Sequence, residues 1–306
     1  MTGAKEESSR VKKVVWRIET ARKITQFFSF ILLNAVIFGL GPWPIVLPVV
    51  HSLGVHQKTM GDAFAMLQWM LHESVFPWLP LASFFLVAVF LGRALCGWVC
   101  PFGFVQDLLG YIKRKHTEIS LRNHEWMIKI KYIVLAVTLF VSGTLAISLA
   151  MGMGEGYKAA LGAFAPAPFN ALSPADTLFA IVPRMVLDAL YNGVGALISG
   201  AQLLLWARLV IMGLVLVLAV YVPRSWCRYL CPHGAALAFL NRFSFLGLRR
   251  DPLKCTKAGC RACVEVCPMK VPILDLPWEK FTDSECTYCL KCVEACTTKA
   301  IKPKFP

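Results

Sequence analysis

The chain has 306 residues, of which 57% are hydrophobic and only 16% are charged. Soluble domains carry about 25% charged residues, so this composition excludes an ordinary soluble enzyme, and an aromatic content of 12% excludes a disordered chain. The net charge of +14 would indicate nucleic-acid binding on a soluble surface, but in a membrane protein it is explained by basic residues on the cytoplasmic side.

Four apolar stretches predict membrane spans, because about 20 apolar residues cross the hydrocarbon core. They are residues 26–50, 74–92, 132–154 and 203–222, the last containing Arg208 near its start. Before the fourth stretch, Arg184 and Asp188 have helical i,i+4 spacing, which predicts an amphipathic surface helix over 177–188. The glycine-containing stretch 189–207 is interpreted as a loop or interfacial helix, with a fifth span as the alternative.

The distribution of basic residues predicts the orientation. Of the 32 Lys and Arg residues, 28 lie in residues 1–25, in residues 93–131 or from Arg224 onward. Cytoplasmic segments carry this excess, so both termini are expected in the cytoplasm of a multi-pass protein of the cell membrane. The predicted organisation is a basic N-terminus (1–25), a transmembrane domain (26–247) and a cytoplasmic domain (248–306).

One cysteine motif occurs twice, after the second and the fourth predicted spans. Both copies read R-x-x-C-x-x-x-C-P-x-G, with cysteines at Cys96 and Cys100 in the first and at Cys227 and Cys231 in the second. The repeat predicts two equivalent hairpins, and sites in membrane proteins often form where such repeats meet. If the turn is helical, each i,i+4 pair directs two sulfurs to one face, which predicts a redox-active thiol site, or a further metal or cluster. Small apolar packing residues are the alternative interpretation.

The tail contains eight cysteines in two runs that are typical of iron–sulfur proteins. The second run has the C-x2-C-x2-C-x3-C spacing of bacterial two-cluster ferredoxins, in which the fourth cysteine of each run binds the other cluster. This crossing predicts one [4Fe–4S] cluster on Cys255, Cys260, Cys263 and Cys296, and a second on Cys286, Cys289, Cys292 and Cys267. The first gap is four residues rather than two, so Cys255 is the weakest assignment. Zinc is the alternative metal for such spacings.

Taken together, these motifs resemble the NapH-type ferredoxin-like membrane proteins, the quinol dehydrogenase membrane subunits associated with periplasmic nitrate reductase. The related NosR, MauN and CcoG-type proteins share the arrangement. The similarity rests on Arg22-Lys-Ile-Thr-Gln26-Phe-Phe, Gly41-Pro42-Trp43, the two C-x3-C-P motifs and the eight tail cysteines. The resemblance implies an all-α membrane protein of four helices in two repeated hairpins, plus a small α+β ferredoxin-like domain. It also implies a subunit that takes electrons from membrane quinol and passes them to a partner reductase.

A quinol site needs a base or a hydrogen-bonding residue near the edge of the bilayer. Candidates on the predicted outer side are His51, His56, His72 and Glu73, and Arg208 is a candidate because charged residues within spans are often functional. Anchoring of a loop at the headgroups is the alternative for the histidines, and Arg208 could extend to the interface.

A cluster of basic residues around the first tail motif is ascribed mainly to the cytoplasmic charge bias, with docking of an acidic redox partner as a weaker alternative. It consists of Arg249, Arg250, Lys254, Lys257 and Arg261.

Two functions from different classes remain open on the sequence. The first is an electron-transfer component of a quinol-linked oxidoreductase. The second is an assembly or metal-handling factor of the CcoG or NosR kind, in which the C-x3-C-P thiols transfer electrons or a metal such as copper, because soft thiolates favour Cu(I). A structural anchor with stabilising clusters is a third and weaker interpretation.

Overall fold

The structure is a computed structural model that describes residues 2–34, 45–50, 60–113, 117, 120–192, 203–255 and 260–305. The helices up to the end of the third predicted span are α1 (Thr2–Leu33), α2 (Ala63–His72), α3 (Trp78–Leu91), α4 (Ala94–Trp98), α5 (Pro101–Leu109) and α6 (Leu121–Ala150). The later helices are α7 (Glu155–Leu161), α8 (Pro174–Asp176), α9 (Val182–Asn192), α10 (Leu203–Tyr221), α11 (Ser225–Tyr229), α12 (Pro232–Asn241), α13 (Ala262–Glu265) and α14 (Lys291–Ala295). Single turns of 3₁₀-helix lie at Gly162–Phe164 and Asn170–Leu172, and a π-helical turn lies at Thr177–Ile181.

Within the part of the chain that the structure describes, two helices are long and apolar enough to cross a membrane. They are Arg122–Ala150 in α6 and Leu203–Tyr221, which is α10. Only 17% and 11% of their most apolar windows are buried inside the protein, so their apolar side chains face outward, as expected of lipid-facing helices rather than of core helices. Both match predicted spans. The helix in the second predicted span, α3, has 14 residues and is about 21 Å long, shorter than a hydrocarbon core of about 30 Å.

The first predicted span, residues 26–50, is not one continuous helix. Helix α1 ends at Leu33, and β1 (Ile45–Leu47) pairs in parallel with β2 (Met60–Asp62). Residues 35–44 lie outside the described part of the chain. Val50 then returns to the first repeated motif, where its carbonyl oxygen lies 3.9 Å from the sulfur of Cys100. Prolines at positions 42, 44 and 48 disfavour a continuous helix over the second half of this stretch, because proline removes a helix hydrogen bond and clashes with the preceding turn.

The connection after this segment is also more buried than the sequence predicts. We expected residues 51–75 to be an outer loop, but α2 is largely buried and packs against α3 and α6. Asp62 caps α2 by accepting hydrogen bonds from the backbone N–H groups of Phe64 and Ala65, at 2.8 and 3.1 Å. The same carboxylate binds His233 beside the second repeated motif. The connection therefore supplies part of the protein interior.

The predicted helix at 177–188 is present as the π-helical turn followed by α9. Residues 193–202 lie outside the described residues, as does the side chain of Asp188. The choice between a loop and a fifth span at 189–207 therefore stays a prediction.

The tail forms a small unit with its own apolar core, called here the cluster module (residues 247–305). Strand β3 (Gly247–Arg250) pairs antiparallel with β4 (Ile301–Lys304), in register from Gly247–Lys304 to Arg250–Ile301. Leu248, Met269, Val271, Ile273 and Phe281 are almost fully buried between the strands and the two short helices α13 and α14. Two strands and two helices form the mixed α+β unit that the motifs predict.

One member of the predicted basic cluster, Arg250, stabilises the fold of the cluster module. The side chain of Arg250 is buried, donates hydrogen bonds to the carbonyl oxygens of Ile273, Leu274 and Leu276, and stacks on Trp278 at 3.9 Å. It therefore ties the strand to the following loop and is not available for docking a partner. Lys257 lies outside the described residues.

Candidate functional site

Short helices and left-handed residues bring the cysteines of the cluster module together. Cys263 lies in α13 and Cys292 in α14, so each helix carries one cysteine of its run. The loop before α14 turns sharply, because Tyr288 and Leu290 have φ angles of 46° and 60°. These left-handed residues compress the C-x2-C-x2-C segment, which is how one tight loop can direct three sulfurs to one place.

The two predicted ligand sets line two separate cavities. Cys267, Cys286, Cys289 and Cys292 line one, together with apolar side chains of the module core. Cys255, Cys260, Cys263 and Cys296 line the other. The division follows the crossed pattern in which the last cysteine of each run joins the other set. Each cavity thus offers four sulfurs, which is the ligand set of a [4Fe–4S] cluster.

The spacing of the sulfurs argues against zinc. Within the described residues, no three Cys, His, Asp or Glu side chains lie close enough together to hold a single metal ion. A tetrahedral zinc site needs four sulfurs about 2.3 Å from one point, whereas a cluster keeps its ligands farther apart around a larger core. The described cysteines therefore do not converge on a single zinc ion.

The two repeated motifs have the same local structure. In each, an arginine precedes a five-residue helix (α4 or α11) that contains the first cysteine. The second cysteine then caps the next helix (α5 or α12), with proline at the first helical position and the sulfur accepting a hydrogen bond from a glycine N–H at 3.4 Å. The pairs are therefore not on one continuous helix, as i,i+4 spacing had suggested, because the proline begins a new helix after each second cysteine.

Each arginine of the repeat reaches across to the other copy. Arg93 donates to the carbonyl oxygen of Cys227 at 3.4 Å, and Arg224 donates to the carbonyl oxygen of Cys96 at 3.2 Å. Both guanidinium groups are fully buried. This reciprocal pairing joins the two motifs about a local pseudo-two-fold relation.

The four cysteines of the motifs, Cys96, Cys100, Cys227 and Cys231, are buried in the interior of the protein. Because each pair follows a predicted span, we call them the membrane-surface thiols. Burial, followed by the proximity of the other three sulfurs, raises the pKa of the Cys231 thiol well above its usual range. Burial likewise raises the pKa of Cys100 and of Cys227. The side-chain amide of Gln106 donates to the sulfur of Cys227 at 3.2 Å. Without a bound group, the thiols of Cys100, Cys227 and Cys231 are therefore neutral at pH 7.

A buried carboxylate balances the arginine of the second motif. Asp107 accepts two hydrogen bonds from Arg224, at 2.8 and 2.7 Å, and one from Arg22 at 3.0 Å. Burial alone would raise the pKa of Asp107, but Arg224 and Arg22 hold it well below its usual range. Asp107 is therefore an ion-pair anchor that joins α1, α5 and the second motif.

The cluster module rests directly on the first motif. A Cβ atom at Gly97 would lie 2.4 Å from the carbonyl oxygen of Thr287 and 3.6 Å from the backbone nitrogen of Cys289. The indole N–H of Trp98 donates to the carbonyl oxygen of Tyr288 at 2.9 Å. The loop that carries the second ligand set is thus in backbone contact with the segment between Cys96 and Cys100.

A second set of buried charges holds this contact. Glu285, next to Cys286, accepts hydrogen bonds from Arg93 at 3.0 Å and from Lys131 of α6. Both cations are fully buried, whereas the glutamate side chain is 11% exposed. Burial opposes ionisation, but Arg93 and Lys131 keep the pKa of Glu285 below its ordinary value. The carboxylate therefore links the cluster module to the first motif and to α6. Both belong to the part of the chain before the module, which contains the predicted spans and is called here the membrane part.

The predicted quinol-site residues are only partly described. His51 and His56 lie outside the described residues. The ring of His72 is buried at the end of α2, with Nε2 3.7 Å from a carboxylate oxygen of Glu73. Arg208 lies 3.9 Å from Asp176, which favours a structural ion pair. Within the described residues, no hydrogen bond or ion pair joins the His72–Glu73 pair to the Arg208–Asp176 pair.

Several residues of the site were missed at the sequence level. Asp107, Lys131, Glu285 and the pair Asp62–His233 were not singled out, and the roles of Arg93 and Arg224 were not recognised. The available signal was the arginine three residues before the first cysteine in both motifs. The partners had no comparable signal, because Glu285 is 154 residues from Lys131.

Comparison with known proteins agrees with this arrangement. A family model described as "4Fe-4S binding domain" matches residues 76–118 and 204–251, so it covers both repeated motifs. A second, described as "4Fe-4S dicluster domain", matches residues 247–297. The methylamine utilization ferredoxin-type protein MauN of Methylobacillus flagellatus is 26% identical over 93% of this chain and 89% of its own length. The chain is thus homologous to the NapH-, MauN- and NosR-related 4Fe–4S proteins.

Other members of the family are similar over less of their length. The ferredoxin-type protein NapH of Escherichia coli is 25% identical over 67% of this chain and 59% of its own length. The uncharacterized protein MJ0749 of Methanocaldococcus jannaschii is 28% identical over 70% of this chain, and the matched region spans 65% of that relative. No solved structure gives a significant match. The ferredoxin-type members support a 4Fe–4S electron-transfer role for the chain.

Proposed function

We propose that this chain carries electrons between membrane quinol and a partner redox protein, through two [4Fe–4S] clusters in the cluster module and the membrane-surface thiols. The observation that carries the proposal is the backbone contact between Gly97 and the Thr287–Cys289 loop. It joins the loop of one ligand set to the segment between Cys96 and Cys100. Electron transfer between two redox centres is favoured by direct packing of the segments that hold them.

Each set of residues has a distinct part in the proposal. Cys267, Cys286, Cys289 and Cys292 would hold the cluster beside the membrane part, and Cys255, Cys260, Cys263 and Cys296 would hold the other. These clusters supply one-electron transfer at low potential. The arginines, Asp107 and Glu285 position the two parts and keep buried charge balanced around the contact.

The membrane-surface thiols are proposed as a further redox centre. They are buried together, are held by reciprocal arginine contacts and lie against the cluster module. Oxidation of a thiol pair, or a further cluster on the four sulfurs, fits this arrangement. The copper-handling alternative is less well supported, because these described cysteines do not converge on a single ion.

In the proposed topology the chain crosses the cell membrane four times, with both termini in the cytoplasm. Helices α6 and α10 have the required length, and 28 of 32 basic residues lie on the proposed inner side. His72 and Glu73 then lie on the outer side as candidates for hydrogen bonding a quinol, together with His51 and His56 outside the described residues.

The contact at Gly97 can be tested with one methyl group. In Gly97→Ala the new Cβ atom would overlap the Thr287 carbonyl oxygen, so the module must move away from the thiols. We expect quinol-dependent reduction of the clusters in anaerobic proteoliposomes to slow at least about tenfold, while dithionite still reduces them fully. Gly143→Ala is the matched control, because a Cβ atom there has no neighbour within 4 Å.

The proposed electron path through the Gly97 contact is wrong if quinol reduces the clusters of Gly97→Ala as fast as those of Gly143→Ala and the wild type. The proposal is wrong about the thiols if a variant with serine at all four positions keeps full quinol-linked activity and the wild-type iron content.

A further inference from the structure

A polar cavity opens between the membrane part and the cluster module. It is lined by the end of α5, by Lys23 of α1, by Pro223 just after α10 and by the loop that follows Cys267. Five basic side chains line it: Lys23, Lys113, Arg228, Lys270 and Lys291. None of them has a role in the electron path described above.

The lining has fewer acidic than basic residues, although Lys291 also lies 3.8 Å from Glu19, which is not part of the lining. Asp107 lines the cavity, but its two carboxylate oxygens already accept hydrogen bonds from Arg224 and Arg22. Glu265 is the other acidic residue of the lining. The described lining therefore has an excess of positive charge, which favours a bound anion.

One of the cations lacks a good partner. The ammonium nitrogen of Lys23 is buried without a hydrogen bond to any described group, and its nearest carboxylate oxygen, on Asp107, is 3.6 Å away. Burial lowers the pKa of Lys23 to about 8, against the opposing effect of Asp107. Nε of Arg228 is likewise buried without a partner. Buried donors are normally hydrogen-bonded, so the cavity has capacity for an acceptor.

In the proposed topology the cavity lies where the lipid headgroups begin. Helix α10, a candidate span, ends at Tyr221, two residues before the cavity, and Lys113 lies over the ring of Tyr221 at 4.1 Å. Tyr111, which lines the cavity, and Ile112, its neighbour in the chain, are 60% and 69% exposed. Apolar side chains beside a basic cavity match the two parts of an anionic phospholipid, which is abundant on the cytoplasmic face of membranes.

We infer that this cavity binds a phosphate group, carried by an anionic phospholipid of the cytoplasmic leaflet. Lys23 and Lys113 contact it from the membrane part, and Lys270 and Lys291 contact it from the cluster module. The bound phosphate thus joins the two parts of the chain beside Cys267, one of the proposed cluster ligands.

The test measures binding and involves no electron transfer, so it is independent of the proposed function. Dioctanoyl phosphatidylglycerol, dioctanoyl phosphatidylcholine and inorganic phosphate are titrated calorimetrically into the full chain, purified anaerobically in neutral detergent. The variant is Lys113→Gln/Lys270→Gln, which removes one charge from each part of the chain. The control is Lys302→Gln, an exposed charge of β4 that does not line the cavity.

We expect phosphatidylglycerol to bind the wild type and the control alike, and the double variant at least about tenfold more weakly, because two charge-assisted hydrogen bonds are lost. Inorganic phosphate binding as tightly as phosphatidylglycerol would keep the site and assign it to free phosphate. Equal binding of phosphatidylglycerol to all three proteins would overturn the inference, as would equal binding of the zwitterionic lipid to the wild type. Unchanged visible absorbance of the clusters shows that the variants are folded.

Discussion

Replacement of Glu285 by glutamine tests how the cluster module is held on the membrane part. The substitution keeps the shape of the side chain and removes its charge, which leaves Arg93 and Lys131 buried without their shared carboxylate. Both cations are 0% exposed. Removing one partner of a buried ion pair costs about 3–5 kcal/mol, because the remaining charge is uncompensated. Opening of the contact should therefore become about 150- to 4,000-fold more frequent, since each 1.4 kcal/mol is a factor of ten.

Hydrogen exchange of the full chain measures this opening directly. We expect amides of residues 284–292 to exchange faster in Glu285→Gln by about that factor, with little change in α6 or α10. Glu279→Gln is the control, because Glu279 is an exposed residue of the same module. A double variant with Lys131→Met should recover part of the protection, because an apolar side chain removes one of the two stranded charges.

The stabilising contribution of Glu285 should weaken as the pH falls. The pKa of Glu285 is held below its ordinary value, so its contribution is present above the pKa of the unfolded chain and is lost as the pH falls through the folded value. If exchange over residues 284–292 is the same in Glu285→Gln and Glu279→Gln, the buried ion pair does not hold the module and the reasoning fails.

Three further predictions concern the cysteines, the second ion pair and the topology. Cys292→Ala should lower the iron content from about eight to about four per chain, as measured by elemental analysis of anaerobic protein, and unchanged iron would contradict the assigned ligand set. Asp107→Asn should destabilise the chain by about 3–5 kcal/mol in urea unfolding, because Arg224 and Arg22 lose their carboxylate, and a change below 1 kcal/mol would show that the pair contributes little. Alkaline phosphatase fused after residue 306 should be inactive and fused near residue 170 active, whereas an active C-terminal fusion would exclude the four-span topology.

The features that could be predicted from the sequence are those that depend on residues close together in the chain. The two ligand sets of the cluster module could be inferred from spacing alone, since a short run of cysteines can reach only a nearby centre. The structure adds that each set lines its own cavity. Helices α6 and α10 were likewise predictable, because a continuous apolar run of that length has few other stable conformations. The first predicted span is not one continuous helix to residue 50, a difference that hydropathy alone does not reveal because it ignores prolines such as Pro48.

The sequence by itself indicated which cysteines line each cavity, the two long apolar helices and the repeated motif, and the family resemblance indicated the mixed α+β module. Only the tertiary structure decided how the two motifs face each other, through the reciprocal contacts of Arg93 and Arg224. It also decided that Glu285 balances Arg93 and Lys131, across 192 and 154 residues of sequence. The physical reason is that burial makes a charge depend on whichever partner the fold brings within about 3 Å, and no local pattern of residues specifies a partner so distant in the chain.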